Sequence, residues 1–238
     1  MADLEMLDRT RRDYDGLAEV YDGVVRGDAW FDPFEPAMIT AFADLVRSGA
    51  SRADVLDAGC GPGHWTDHLD RLGVPIRGID LSPAMVAIAR RHRPDLNFDV
   101  GSVLELAAGD ASVAGVLAHY SLIHTPPRLV PVALAEFARV LVPGGILLLA
   151  GQLTDTADGS GWRPYDHRVS PAYLWTLDAL ADQVRSHGFV ELARLRIATP
   201  PQKRTPAGYL LMRRDVTGEP PGPRRATVSG SAQPAIGG

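Results

Sequence analysis

Among 238 residues there is one cysteine, Cys60, so the chain can close no intrachain disulfide and build no cysteine-based zinc cluster. Such a chain is expected in a reducing cytoplasm. Lysine occurs once, as Lys203, and arginine carries the remaining positive charge. We read this as GC-rich bacterial coding, without mechanistic content. The net charge of −5 leaves no basic excess, which argues against nucleic acid as partner or substrate. No stretch approaches the ~20 apolar residues of a membrane span, so no membrane partner is expected. Residues 1–16 lack the apolar centre of a signal peptide. Clustered ligand spacing of the H-E-x-x-H kind is also missing, and no metal is expected. What remains is ordinary: 45% hydrophobic, 22% charged, and long enough for one α/β domain.

The periodicity alternates. Residues 1–27 read as a helical start with a tyrosine-bearing turn. Phe34, Met38, Ile39, Phe42, Leu45 and Val46 recur at helical spacing. Ala53–Gly59 is a buried strand, and His64–Gly73 a helix ended by its glycine. Val74–Asp80 is a second strand. Ser82 and Pro83 then suit the N-cap and first position of a helix running to His92. Leu96–Gly101 is a third strand, and Ser112–His124 a fourth that runs out into a loop. Arg128–Leu141 is mostly helical until Pro143, Gly144 and Gly145 break it; Ile146–Gln152 is a fifth strand, apolar up to its final Gln152. Pro171–Gly188 is expected as the last helix. Phe189–Ile197 and Pro206–Arg214 are expected as a closing antiparallel pair. This alternation predicts a mostly parallel sheet covered by helices on both faces. The domain is expected over residues 1–215, with 1–48 as an N-terminal helical lid. The Pro- and Gly-rich residues 216–238 are expected to be a disordered tail.

Val55–Trp65, VLDAGCGPGHW, joins an apolar strand, an acid and three glycines. In such a sheet the ligand lies beyond the carboxyl ends of the strands, where strand order reverses. Asp80, at the end of the second strand, is placed to accept from two ribose hydroxyls. A dinucleotide fingerprint needs glycine where this chain has His64. Pro62 has no N–H to offer a pyrophosphate. Asp57 sits badly beside phosphates and well beside a cation. S-adenosylmethionine has a ribose, a sulfonium and an ammonium, and no phosphate. It fits better than NAD.

Val55–Gly63, Gly78–Met85, His119–Pro127 and Leu134–Gly145, taken in order, resemble the motif series of class I S-adenosylmethionine-dependent methyltransferases. The Y-D-x-x-A-x-x-Y pattern at Tyr14, Asp15, Ala18 and Tyr21 is similar to that of a small bacterial group within them. The likeness spans roughly Tyr14 to Arg213. It implies a Rossmann-like sheet of seven strands with the last antiparallel. It also implies that Asp57 and the backbone of Gly59, Gly61 and Gly63 line the methionine part, and that Asp80 holds the ribose. Leu81 would pack on adenine, with Ser102 and Val103 at its edge. Many family members carry an acid at the Ser102 position. Ala118 and His119 would flank the methionine tail, and Tyr14 and Tyr21 would close over the cofactor.

Methyl transfer is an in-line displacement, in which holding the acceptor in line can contribute ~7–11 kcal/mol. A base is needed only for an acceptor that must lose a proton. The candidates are His124, His119 and Tyr14. For His124 a structural role before Pro126 and Pro127 competes; for His119 and Tyr14, cofactor positioning does. Tyr120, His124, Trp162, Tyr165 and His167 are expected to wall the acceptor pocket, although Trp162 and Tyr165 also suit a plug at the end of the sheet. His64, His68, His92 and His187 read as helix-surface residues, and Cys60 as a small packing residue. The expected function is metal-independent transfer from S-adenosylmethionine to a small molecule, at oxygen, nitrogen or carbon, leaving S-adenosylhomocysteine. The protein would be a monomer or homodimer. The alternative is a protein that binds S-adenosylmethionine without transferring methyl, or that uses it for other chemistry.

Overall fold

A computed structural model describes residues 2–27, 33–156, 158–199 and 204–216. Seven strands form one sheet in the order β3-β2-β1-β4-β5-β9-β8. These are β1 (Val55–Ala58), β2 (Ile76–Asp80), β3 (Asn97–Val100), β4 (Val113–His119), β5 (Leu141–Gln152), β8 (Phe189–Ile197) and β9 (Ala207–Arg214). β1 pairs in parallel with both β2 and β4, so the chain reverses its direction of winding there. β9 alone runs against its neighbours β5 and β8, as the expected closing pair requires.

The central strands are apolar on both faces because both are covered. Ile39, Phe42, Ala43 and Val46 of α2 (Phe34–Ser48) pack with Leu69 of α3 (His64–Arg71) on one face, against Leu117, Leu148 and Tyr209. Leu134 and Phe137 of α5 (Val130–Val140) pack with Ala181 and Val184 of α6 (Leu177–Ser186) on the other, against Val116, Leu147 and Leu210. α4 (Pro83–His92) starts as its sequence signals. The Ser82 hydroxyl accepts from the Met85 N–H, and Pro83 takes the first turn, where no N–H is needed.

Several elements differ from the local reading. The N-terminal segment is one continuous helix, α1 (Ala2–Val25), so Tyr14 and Tyr21 lie on a helix face and not in a turn. α1 packs on α4, whereas α2 covers the sheet, so the two halves of the expected 1–48 lid do different jobs. Phe34 is half exposed and does not join the buried stripe of α2. β5 begins at Leu141, which pairs with Val113 before a register shift; the Pro-Gly-Gly turn is absorbed as that irregularity. Pro171–Gly188 is not one helix. Ala172–Trp175 (β7) pairs antiparallel with Trp162–Tyr165 (β6), and the helix starts only at Leu177, after Thr176 caps it by accepting from Ala179 N–H. Aromatic residues at alternate positions, Tyr173 and Trp175, favour the strand. The tail expected from residue 216 onward lies outside the described residues, apart from Val216 itself. Among the described residues no helix is long and apolar enough to cross a membrane.

Candidate functional site

A cavity opens where β1, β2 and β4 end, and α1 lies across it. Leu7, Thr10, Tyr14, Tyr21 and Val25 line it from one face of that helix. Two contacts hold α1 there. Asp15 reaches the start of α4, where its Oδ1 accepts from the Ser82 hydroxyl at 2.6 Å and from the Ala84 N–H at 3.2 Å. A carboxylate is favourable at a helix N-terminus. Ala18 is buried against Met85 and Ile88. At the other end, Arg26 donates to the Pro62 carbonyl at 3.0 Å and ties α1 to the glycine turn. The Y-D-x-x-A-x-x-Y pattern is thus a docking stripe that also presents two tyrosines to the cavity.

The turn after β1 is built for close approach. Gly59 has φ +89°, and a Cβ there would lie 2.3 Å from the Ser121 Cβ, so only glycine fits. Its neighbours fix the acid at the end of β2. Asp80 Oδ2 accepts from the Gly61 N–H and Oδ1 from the Ser82 N–H, both at 2.8 Å. The carboxylate is oriented before any ligand arrives. Burial raises its pKa, and the two N–H donors pull it back. Asp57 is fully buried, and its Oδ2 accepts from the Thr66 hydroxyl at 2.6 Å. Burial pushes its pKa up to about 7, against the pull of Thr66. A cation beside it would restore the charge.

His124 is the best-defined polar group on the cavity wall formed by the loop after β4. Its Nδ1 lies 2.9 Å from the Pro171 carbonyl, which can only accept, so the ring proton sits on Nδ1. Nε2 then accepts from the Tyr14 hydroxyl at 3.0 Å. Burial lowers the His124 pKa to about 4, so the ring is neutral near pH 7. His167 packs edge-on to it at 5.0 Å. Tyr120, just past β4, lines the cavity from the left-handed region at φ +56°, which costs a non-glycine residue ~1–2 kcal/mol. Backbone strain of this kind gathers at functional sites.

Most of the residues singled out from the sequence meet in this one cavity. Tyr14, Tyr21, Asp57, Gly59, Gly61, Asp80, Leu81, Ser102, Val103, His119, Tyr120, His124 and His167 all line it. Four do not. Gly63 caps α3, and a Cβ there would meet Ala89 and Phe98 at 3.0 Å, so this glycine serves helix packing. Ala118 is buried in the core. Trp162 packs edge-on to Tyr173, and Tyr165 lies under Arg204, both outside the lining. The histidines divide. His64 is no surface residue: it lines the cavity, and burial lowers its pKa to about 4. His68 is half-buried edge-on to Trp65. His92 pairs with Asp22 at 2.8 Å, and His187 sits at the end of α6. Cys60 packs with Val86, Ala89 and Phe98 as expected of a small residue.

The local reading passed over Leu7, Thr10, Trp65, Ser121, Ile123, Thr125 and Gln152. Leu7 and Thr10 precede Tyr14 by seven and four positions, a helical spacing visible in the sequence. Gln152 gives no local signal. Buried polar atoms without a protein partner border the cavity at His64 Nδ1, Trp65 Nε1, Ser121 Oγ and Gln152 Oε1. Among the described residues no cluster of three or more His, Cys, Asp or Glu is placed to hold a metal ion.

The residues present fit S-adenosylmethionine. A pre-oriented carboxylate faces the cavity from β2, and a buried acid calls for a cation. Pro62, which lines the cavity in the glycine turn, has no N–H to offer a pyrophosphate. Fold and site together define a nucleotide-binding α/β transferase. Residues 55–145 match the family model described as a methyltransferase domain. An O-methyltransferase, cnsE, from Penicillium expansum is 32% identical over 191 residues, covering 74% of this chain and 68% of that protein. A malonyl-[acyl-carrier protein] O-methyltransferase from Serratia marcescens is 31% identical, over 51% of this chain and 49% of its own length. The chain thus spans about half of that relative. Among solved structures, a 1,6-didemethyltoxoflavin-N1-methyltransferase from Burkholderia thailandensis, with bound 1,6-didemethyltoxoflavin and S-adenosylhomocysteine, superposes with a TM-score of 0.69 at 27% identity. It covers 90% of this chain and 91% of its own. The chain belongs to the class I S-adenosylmethionine-dependent methyltransferase family.

Proposed function

We propose that this protein transfers a methyl group from S-adenosylmethionine to a small-molecule acceptor held between α1 and the loop after β4. The observation that carries this reading is Asp80, with each carboxylate oxygen fixed by a backbone N–H at the mouth of β2. When bound, S-adenosylmethionine supplies an electrophilic methyl on a sulfonium and keeps the carbon–sulfur electron pair as the neutral thioether. In this reading Asp80 holds the ribose hydroxyls, and Leu81, Ser102 and Val103 border the adenine. The Ser102 hydroxyl already accepts from the Leu104 N–H at 3.1 Å and retains a lone pair. Asp57 faces the positive part of the cofactor. Tyr14 and Tyr21, carried on α1, exclude water above it.

His124 is the proposed base for an acceptor that must lose a proton. Its bare Nε2 faces the cavity, and the Tyr14 hydroxyl holds the place that an acceptor O–H or N–H takes on entry. The proton leaves the acceptor for Nε2 as its electron pair bonds to the methyl carbon. A base typically contributes about 10²–10⁴-fold, and a ring with a pKa of about 4 falls toward the low end of that range near pH 7. Calorimetric titration with S-adenosylmethionine, S-adenosylhomocysteine and NAD tests the cofactor assignment. Both sulfur nucleotides are expected to bind and NAD is not. Binding of NAD in preference to either would overturn it.

A further inference from the structure

Resting on that cofactor placement, the end of the cavity around His124 specifies the acceptor. Among the described residues, no arginine or lysine side chain lines the cavity, and its charged lining groups are Asp57 and Asp80 alone. Leu7 and Ile123 make its apolar wall near His124, with Thr10 and Thr125 beside them. The two imidazoles at this end, His124 and His167, are both held toward the neutral form by burial. Arg168 and Arg204 act on His167 from outside the lining; Arg204 is held 5.1 Å over the Tyr165 ring and donates to the Asp166 carbonyl. With the thioether form of the cofactor bound, a carboxylate or phosphate carried inward would therefore lose its water and meet no cationic side chain among the described lining residues.

Neutral hydrogen-bonding groups are well served there instead. His124 Nε2 is an acceptor whose present donor, the Tyr14 hydroxyl at 3.0 Å, an entering O–H or N–H can replace. Elsewhere on the cavity Gln152 Oε1 and, beside the Gly59 turn, Ser121 Oγ are buried without a protein partner. The walls are ring edges and faces: Tyr14 to His124 at 5.4 Å and His124 to His167 at 5.0 Å, both T-shaped. Such walls favour a flat ring over a branched chain. We propose that the acceptor enters this end as an uncharged aromatic or heteroaromatic ring bearing an O–H or N–H, and that any anionic substituent it carries stays outside.

The test is calorimetric titration of protein saturated with S-adenosylhomocysteine, using matched neutral and carboxylate probes. Salicylamide is set against salicylate, methyl para-hydroxybenzoate against para-hydroxybenzoate, and uracil against orotate. The neutral member of at least one pair is expected to bind, and to bind about tenfold or more tighter than its carboxylate, a difference of ~1.4 kcal/mol. In Leu7→Arg, which places a guanidinium in the wall, the carboxylate-to-neutral affinity ratio should rise about tenfold. Carboxylates that bind as tightly as their neutral partners overturn the inference. So does a panel in which no neutral probe binds, or a Leu7→Arg ratio that does not move. Failure of S-adenosylhomocysteine itself to bind would instead overturn the cofactor reading beneath it.

Discussion

Asp80 ends β2 with both oxygens already engaged by the backbone, and this sets what its removal does. Asp80→Ala leaves the Gly61 and Ser82 N–H groups without their acceptor as well as removing the proposed ribose contact. Cofactor affinity should fall by ~1–3 kcal/mol, the usual cost of stranding buried hydrogen-bond partners. Isothermal titration with S-adenosylhomocysteine measures it, and unchanged affinity would remove the ribose from Asp80. Asp57 makes a different prediction. Burial has raised its pKa to about 7, so near neutrality it is only partly charged in the unliganded protein. A cationic ligand favours the ionised form and pulls the pKa down, so binding releases a proton below that pH. Affinity should therefore rise as pH increases through about 7 and then level off, and Asp57→Asn should flatten the profile. A wild-type affinity independent of pH from 6 to 8 would show that no cation comes near this acid.

Among the elements, α1 has the most to decide, since it lies across the cavity and docks on α4. Asp15 serves as an external cap for α4, accepting from Ser82 and Ala84, while Ser82 also donates its N–H to Asp80. Helix docking and orientation of Asp80 therefore share one residue, Ser82. Asp15→Ala should loosen α1 by ~1–2 kcal/mol, the scale of a lost cap. It should also weaken S-adenosylhomocysteine binding. Hydrogen exchange of the α1 amides reads the first effect and calorimetry the second. Unchanged exchange would mean that Ala18 and the two tyrosines hold α1 without Asp15. The β6–β7 hairpin is the other element with a role in the site. It carries the turn that holds Pro171 and His167, and so fixes both the tautomer and a ring neighbour of His124.

For the whole molecule, burying neutral histidines ties stability to pH. His64 and His124 have folded-state pKa values of about 4, below the ~6.5 of an unfolded chain. Between those values the unfolded chain binds more protons. The stability that the neutral rings allow is thus complete above about 6.5 and is lost as pH falls toward 4. The melting temperature should drop across that window, and replacing both residues with glutamine should shallow the drop. An equally steep fall in the double variant would place the sensitivity elsewhere.

The amino-acid sequence determined the chain order of the seven strands of the main sheet, the closing antiparallel pair, the glycine turn and the two acids that flank it. These are local features. Apolar runs, cap residues and glycines act within a few positions, and a strand that is apolar throughout has to lie inside a covered sheet. Tertiary structure decided what depends on the direction a side chain takes. His64 and His68 lie on the same short helix and both pack against Trp65, yet only His64 lines the cavity. Gly63 belongs to the glycine motif but faces Ala89 and Phe98. Tyr173 and Trp175 read as helix until pairing with β6 makes them a strand. The bond between Tyr14 and His124 joins residues 110 positions apart. It exists because α1 docks on α4 and the hairpin presents Pro171, and packing between distant elements leaves no trace in local periodicity.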